Sequence, residues 1–417
     1  MIEKFIYKFT LLLIFPIVFI YTIYQCIFVD KKYFLNRFGI ILNLRNKNNL
    51  CIHCASLGEI NGAKELIKEI AKDNSILIST NTYSGMRRAK ELFPELDVAY
   101  FPLDYKFCIF SWLKFSKVKN IIIYETEIWP NFYRIFASKE RKLVLINARI
   151  NKDLHQNRIA KRIYSQALVN CDLIICKSEY EKKKFLSFDI NEEILLVTSN
   201  LKYSYKPNND SDRNPLGIKK YFLMASTHSP DEQYFRKAIS ELANKGVTTV
   251  IAPRHVKKSM KIYKYFQKQG TTPHLYTNLI KNRNISIKSG SIIIINKYGI
   301  LSKFYNEAKF VYVGGGFSKR GIQNIIEPSS HGNILLVGPN IDNFYEEIES
   351  LVKIECATII PRTQYAERDC NFHIERYNSI DDETLKKMGK VGKEYNLRFK
   401  NVLEKYIEIL RSKKIIN

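Results

Sequence analysis

Strand-length apolar runs alternate with helical stretches over most of this chain. The runs 50–55, 76–80, 98–101, 120–124, 143–147, 173–176 and 194–197 predict one set of strands. A second set is predicted at 221–225, 247–252, 292–295, 310–313 and 334–337, followed by a closing helix over about 381–411. Apolar runs without polar alternation mark strands buried on both faces, and βαβ alternation builds a parallel sheet. The polar, proline-flanked stretch 206–215 separates the two sets and reads as an interdomain linker. The expected fold is α/β, with two Rossmann-like, doubly wound domains. They cover 31–205 and 218–417, the second including the closing helix, with a linker at 206–217. Two such halves commonly face a central cleft that holds a ligand.

Ahead of the first set, residues 9–29 carry no charge between Lys8 and Asp30, a run long enough to cross a bilayer. No small-residue cleavage site follows it, which argues against a removed signal peptide. Pro16 and several aromatic residues keep an interfacial helix open beside a spanning one. Residues 1–30 are read as a membrane anchor on either alternative.

Composition narrows the partners. With 417 residues, 46% of them hydrophobic, the chain can bury two cores, and general disorder is excluded. A formal net charge of +25 calls for an acidic partner: nucleic acid, anionic lipid or a phosphorylated substrate. Nucleic acid is not expected, because the aromatic residues fall in apolar runs rather than among basic patches. The eight cysteines form no framework. Cys51 and Cys54 lie within a predicted strand with no second pair, so they read as buried apolar residues of a reducing, cytosolic body. Asp210 and Asp212 have the spacing of a metal–nucleotide clamp, but a polar linker makes them solvated charge, and no metal is expected.

Candidate chemistry gathers at predicted strand ends. Glu59 follows the run 50–55 through the small residues Ser56 and Gly58, at the sheet edge where ligands bind. A carboxylate there suits a general base, or a first-turn residue that stabilises a helix dipole. Glu125 and Glu127 follow the run 120–124, and Pro130 opens the next helix. Paired carboxylates at one strand end need cations or a shared proton. Pro253, Arg254 and His255 end a strand of the second half, where Arg254 can fork onto a phosphate and His255 can add a donor. Gly314, Gly315 and Gly316 follow another strand before a helix expected near Asn324, which suits either backbone N–H donors to a phosphate or a tight turn. Glu327, just inside that helix, is placed to accept the hydroxyls of a ribose.

In order and spacing, these segments resemble the Kdo transferases. The matching residues are Arg37-Phe38-Gly39, Ser56-x-Gly58-Glu59, Thr82 with Ser84-Gly85, and Pro102-x-Asp104. They continue with Glu125-Thr126-Glu127-x-Trp129-Pro130-Asn131, Asn147-Ala148-Arg149 and Thr198 with Asn200-Leu201-Lys202. Ser226-Thr227-His228, Pro253-Arg254-His255, Asn324-x-x-Glu327 and Gly338-Pro339 complete the set. The family comprises membrane-associated GT-B glycosyltransferases that move 3-deoxy-D-manno-oct-2-ulosonic acid (Kdo) from CMP-Kdo to a lipid A precursor. The resemblance implies an inverting, metal-independent transferase with no cofactor beyond its CMP-Kdo donor. It implies an anionic lipid A precursor as acceptor and a place on the inner membrane, facing the cytoplasm.

By the same resemblance Glu59 is the general base, and Glu125 and Lys202 stabilise the transition state. CMP contacts fall on Pro253, Arg254 and His255, on Tyr298, Gly299 and Ile300, on Gly315 and Gly316, and on Asn324, Ile325, Ile326 and Glu327. The sequence departs from the family pattern in three places. Asn296-Lys297-Tyr298-Gly299-Ile300 replaces an Asp-x-Met-Gly-Glu-like turn, Gly316 replaces a serine, and Ile322-Gln323 replaces Gly-His. A GT-B enzyme for another nucleotide sugar, or a sugar-nucleotide epimerase, would share the fold.

Overall fold

The computed structural model describes residues 2–150, 157–207, 214–282 and 286–417. It divides into two compact units, residues 1–204 with 401–417, and residues 205–400. The Asp210–Asp212 pair lies outside the described residues.

The first unit is built on a seven-stranded parallel sheet. Its strands are β1 (Leu50–His53), β2 (Ile76–Thr80), β3 (Asp97–Tyr100), β4 (Asn120–Tyr124), β5 (Lys142–Ala148), β6 (Leu173–Cys176) and β7 (Leu195–Val197). They are ordered β3-β2-β1-β4-β5-β6-β7. β1 and β2 are buried along their whole length, which is why they read as unbroken apolar runs. The helix Leu57–Ile70 covers the sheet with Ile60, Ala63, Leu66, Ile67 and Ile70, a stripe at helical spacing. Burying one such Leu or Ile stabilises by roughly 1.5–3 kcal/mol, so this stripe fixes where the helix begins relative to the sheet edge. The chain runs outward from β1 through β2 to β3, then returns to place β4 beside β1. The crevice at this reversal, at the C-terminal strand ends, is where an open parallel sheet binds ligands.

The second unit repeats the plan with β8 (Tyr221–Thr227), β9 (Thr249–Pro253), β10 (Pro273–Leu275), β11 (Ile292–Ile294), β12 (Ala308–Val313), β13 (Leu335–Val337) and β14 (Ala357–Ile359). The order is β10-β11-β9-β8-β12-β13-β14, so the reversal lies between β8 and β12. β10 and β14 were not expected. Each has three residues and lies at a sheet edge, too short to leave a pattern, and β10 opens with a proline that only a strand start tolerates.

The closing helix is corrected. It divides into Asp382–Leu397 and Val402–Ser412. Between them, the amides of Arg398, Phe399 and Lys400 bond three residues back and tighten the backbone out of the α-helix. The second piece belongs to the first unit, so a second domain of 218–417 runs too far. Val402, Tyr406, Ile407 and Leu410 pack against the helix Leu57–Ile70 and the turn Leu201–Ser204. Asn120 Nδ2 donates to Ile415 O at 2.8 Å beyond it. An amphipathic stripe looks the same in sequence whichever unit it covers.

The N-terminal helix, Ile2–Phe28, lies along the first unit. Tyr7 Oη donates to Asp104 Oδ2 at 2.6 Å, and Tyr105 Oη to Leu11 O at 2.7 Å. At the other end Tyr100 Oη donates to Asp30 Oδ2 at 2.9 Å. Between these ties Phe15 packs edge-on against Tyr105, and Phe19 edge-on against Phe34 and Phe38.

Candidate functional site

Glu59 stands in the first turn of the helix Leu57–Ile70, at the C-terminal end of β1. Ala55 N donates to its Oε2 at 2.7 Å and Ser56 Oγ to its Oε1 at 3.2 Å. These bonds favour the carboxylate, but burial outweighs them and the Glu125 and Glu127 carboxylates add to burial. Together they push Glu59 up to about 8. A carboxyl group near that value exchanges protons at physiological pH, as a general base must.

Glu125 follows β4 across the same crevice, with its opposite ionisation. Lys202 Nζ donates to Oε1 at 2.7 Å and Arg149 Nε to Oε2 at 3.0 Å. Burial alone would raise its pKa; Lys202 and then Arg149 outweigh burial and hold the carboxyl well below the usual range. Its backbone is left-handed, with φ of 60°, and its amide donates to Ile146 O at 2.9 Å. A non-glycine residue held there stores of order 1–3 kcal/mol, a strain found at sites where side-chain placement matters more than stability.

Lys202 is placed by the sheet. Asn147, at the end of β5, accepts from Leu201 N at 2.9 Å and donates to Tyr124 Oη at 3.1 Å. A Cβ on Gly62 would meet that Tyr124 oxygen at 2.6 Å and Lys202 Cε at 3.5 Å, so the absent side chain makes the room they occupy. Glu127 has a separate setting: Asn81 Nδ2 and Trp129 Nε1 each donate to Oε2 at 3.1 Å. Arg37 Nη1 donates to Asn81 Oδ1 at 2.9 Å and to Phe101 O at 2.7 Å. The structure therefore brings Glu59, Glu125 and Lys202 together. Gly62 was not singled out in the sequence, because its role depends on what crosses the helix.

In the second unit, β9 ends at Pro253, leaving Arg254 and His255 exposed beyond it. The His228 and His255 rings lie 5.5 Å apart. Burial, then His255, Arg320, Arg254 and Lys258, pushes His228 down to about 4. Burial, followed by Arg254, Arg320 and Lys258, also lowers His255. Two histidines depressed by burial and further by their cationic neighbours describe a site short of negative charge, suited to an anion. Arg320 was missed, since nothing in its local sequence marks it.

The glycine loop needs correction. Gly314 N donates to Ala225 O at 2.8 Å and Gly315 N to Asp231 Oδ2 at 2.9 Å, so neither amide is a bare donor for phosphate. The glycines instead permit close backbone approach: a Cβ on Gly314 would meet Thr227 Cα at 2.5 Å, and one on Gly316 would meet Gly338 Cα at 2.6 Å. Asp231 organises this edge, accepting also from His228 N at 2.8 Å and Tyr312 Oη at 2.9 Å. Burial pushes it up to about 7 against those bonds. Nothing in its local sequence marks Asp231.

Tyr298 is exposed beside Arg254, and Gly299 has φ of 80° with open space around it. The side chains of Ile300, Ile325 and Ile326 are buried, which leaves only their backbones for a ligand. The helix near Asn324 begins at Ile326, whose amide donates to Asn324 Oδ1 at 3.1 Å. That segment is braced by Asn396, whose Nδ2 donates to Ser329 Oγ at 2.6 Å. Glu327 stands in its first turn, close enough to Tyr305 to raise that phenol further.

Comparison with known proteins agrees with the motif resemblance. Residues 32–205 match the family described as 3-deoxy-D-manno-octulosonic-acid transferase (kdotransferase). A 3-deoxy-D-manno-octulosonic acid transferase of Haemophilus influenzae is 24% identical over 376 residues, covering 86% of each chain. A bifunctional glycosyltransferase/methyltransferase of Fusobacterium nucleatum is 26% identical over 75% of this chain, which spans only 50% of that protein. Among solved structures, the UDP-GlcNAc 2-epimerase of Neisseria meningitidis superposes over 87% of this chain and 99% of its own, with a TM-score of 0.61 and 14% identity, and so shares the GT-B-like fold alone. Over most of its length this chain is similar to the Kdo transferases.

Proposed function

We propose that this chain is an inverting transferase that moves Kdo from CMP-Kdo to a lipid A precursor, lipid IVA, in lipopolysaccharide biosynthesis. The observation that carries the reading is the contrast at one sheet reversal. Glu59 is raised by burial and like charge, while Glu125 is locked ionised by Lys202 and Arg149. Two carboxyl groups driven apart in this way take different tasks. Glu59 takes the proton from the acceptor hydroxyl as that oxygen attacks the sugar. The bond from the sugar to the CMP phosphate oxygen breaks, and the phosphate leaves with the electron pair. Lys202, held by Glu125, supplies positive charge to this step. The donor's phosphate is assigned to Arg254, His255, His228 and Arg320 of the second unit. Arg254 and Arg320 supply fixed positive charge to the phosphate, the stabilisation for which a metal is otherwise used, and the imidazoles of His228 and His255, their pKa values lowered, add hydrogen bonds.

An anionic lipid acceptor also accounts for the apolar N-terminal helix and the net charge of +25. The proposed location is the inner membrane, with both units facing the cytoplasm. The test is incubation of the purified protein with CMP-Kdo and lipid IVA, followed by mass spectrometry of the lipid. A product heavier by one or more Kdo residues supports the reading. Release of UMP or UDP rather than CMP from a donor panel points instead to another nucleotide sugar.

A further inference from the structure

We infer that the N-terminal helix lies flat on an anionic bilayer rather than crossing it, and that Phe107 and Phe110 of the neighbouring helix enter the same interface. This rests on the membrane reading above and specifies how the membrane is met. The helix Ile2–Phe28 is apolar all round, which is why its sequence is compatible with a span. The structure separates two faces. Tyr7, Leu11, Phe15 and Phe19 recur every four residues and meet the first unit. The opposite face, with Phe9, Leu13, Ile17, Ile20, Tyr24 and Ile27, is exposed.

The ties at Tyr7 and Asp30 hold both ends of the apolar run to one folded unit. At 1.5 Å per residue they lie roughly 35 Å apart, about the thickness of the hydrocarbon core. Crossing the bilayer with these ties intact would drag the unit's polar backbone and buried Asp104 into hydrocarbon, and crossing without them would strip Phe34, Phe38 and Tyr105 of their cover. Lying flat needs neither.

The exposed face continues beyond the helix. Phe107 rings pack against Phe15 and Phe38 with centroids 6.4 and 5.9 Å apart, yet Phe107 remains 52% exposed and Phe110 58% exposed. Exposed Lys8, Lys31, Lys32, Lys106 and Lys114 flank these residues. Apolar residues bordered by lysines fit an interface of acyl chains beneath anionic headgroups. The attachment also reaches the candidate site. The Asp104 carboxylate that accepts from Tyr7 accepts from Asn131 N and Phe132 N at 2.9 and 2.7 Å, at the start of the helix directly after Trp129.

The test uses the full chain with Cys26→Ser, carrying Lys8→Cys or Lys31→Cys, and a membrane-impermeant maleimide. Both positions should label in inverted inner-membrane vesicles and neither in spheroplasts; labelling from opposite sides overturns the flat helix. Separately, Phe107→Glu with Phe110→Glu should reduce partitioning into phosphatidylethanolamine–phosphatidylglycerol vesicles by about tenfold or more, while a circular dichroism melt stays cooperative. Unchanged partitioning of a folded double variant overturns the second insertion. If the unsubstituted protein binds no vesicles and forms a dimer by light scattering, the membrane reading itself fails and the face belongs to a second copy.

Discussion

Lys202 Nζ sits 2.7 Å from Glu125 Oε1, and with Arg149 on the other oxygen it keeps that carboxylate charged in a buried setting. Burial raises the neighbouring Glu59 and the negative charge so fixed raises it further, so the ion pair sets the two glutamates to opposite tasks.

The acid limb of kcat/KM should therefore follow Glu59, rising with pH towards an apparent pKa of about 8. Glu127→Gln removes one of the charges that raise Glu59 and should move this limb to lower pH. An unchanged limb would separate Glu127 from the titration.

Stability should carry the reverse sign. Glu59 is raised from 4.5 to about 8, so ionising it costs the folded state more than the unfolded state. Glu59→Gln should melt close to the parent near pH 4.5 and progressively above it as pH rises to about 8, then at a constant difference. Parallel Tm measurements across that range check this.

Gly62→Ala should displace the Tyr124 hydroxyl, which lies 2.6 Å from the built Cβ, and with it the Asn147 link to the Lys202 turn. Overpacking of this kind costs about 1–3 kcal/mol. Adding Tyr124→Phe should restore part of both stability and kcat, and a double-mutant cycle measures the coupling.

Binding of CMP should raise the pKa of His228 from about 4 and raise that of His255, because a phosphate offsets the cations that add to burial in depressing them. Histidine proton shifts followed by NMR, with and without CMP, read this directly. Arg254→Ala should weaken CMP binding by roughly 1.5–3 kcal/mol, as calorimetry would register.

Much of this arrangement was legible in the chain. Glu59 and Glu125 each follow an apolar run, and a residue at the end of a parallel strand lands at the ligand edge wherever that strand sits in the sheet. Strand order was not legible, and it is strand order that sets β1 beside β4 and makes the two glutamates neighbours. Residues acting through distant partners were equally hidden. Asp231 gains its role from Gly315 and Tyr312, more than eighty positions away. The glycine triplet was legible as a turn, but the Gly314 and Gly315 amides are spent on Ala225 and Asp231. Val402–Ser412 showed its apolar stripe without showing which unit that stripe would cover.

The central claim is that Glu59 removes the acceptor proton, and Glu59→Gln tests it most directly. Transfer of Kdo from CMP-Kdo to lipid IVA should fall by about 10² to 10⁴, with CMP affinity close to that of the parent, because an amide keeps the shape and cannot accept the proton. A folded Glu59→Gln protein that transfers Kdo at the parent rate contradicts the account.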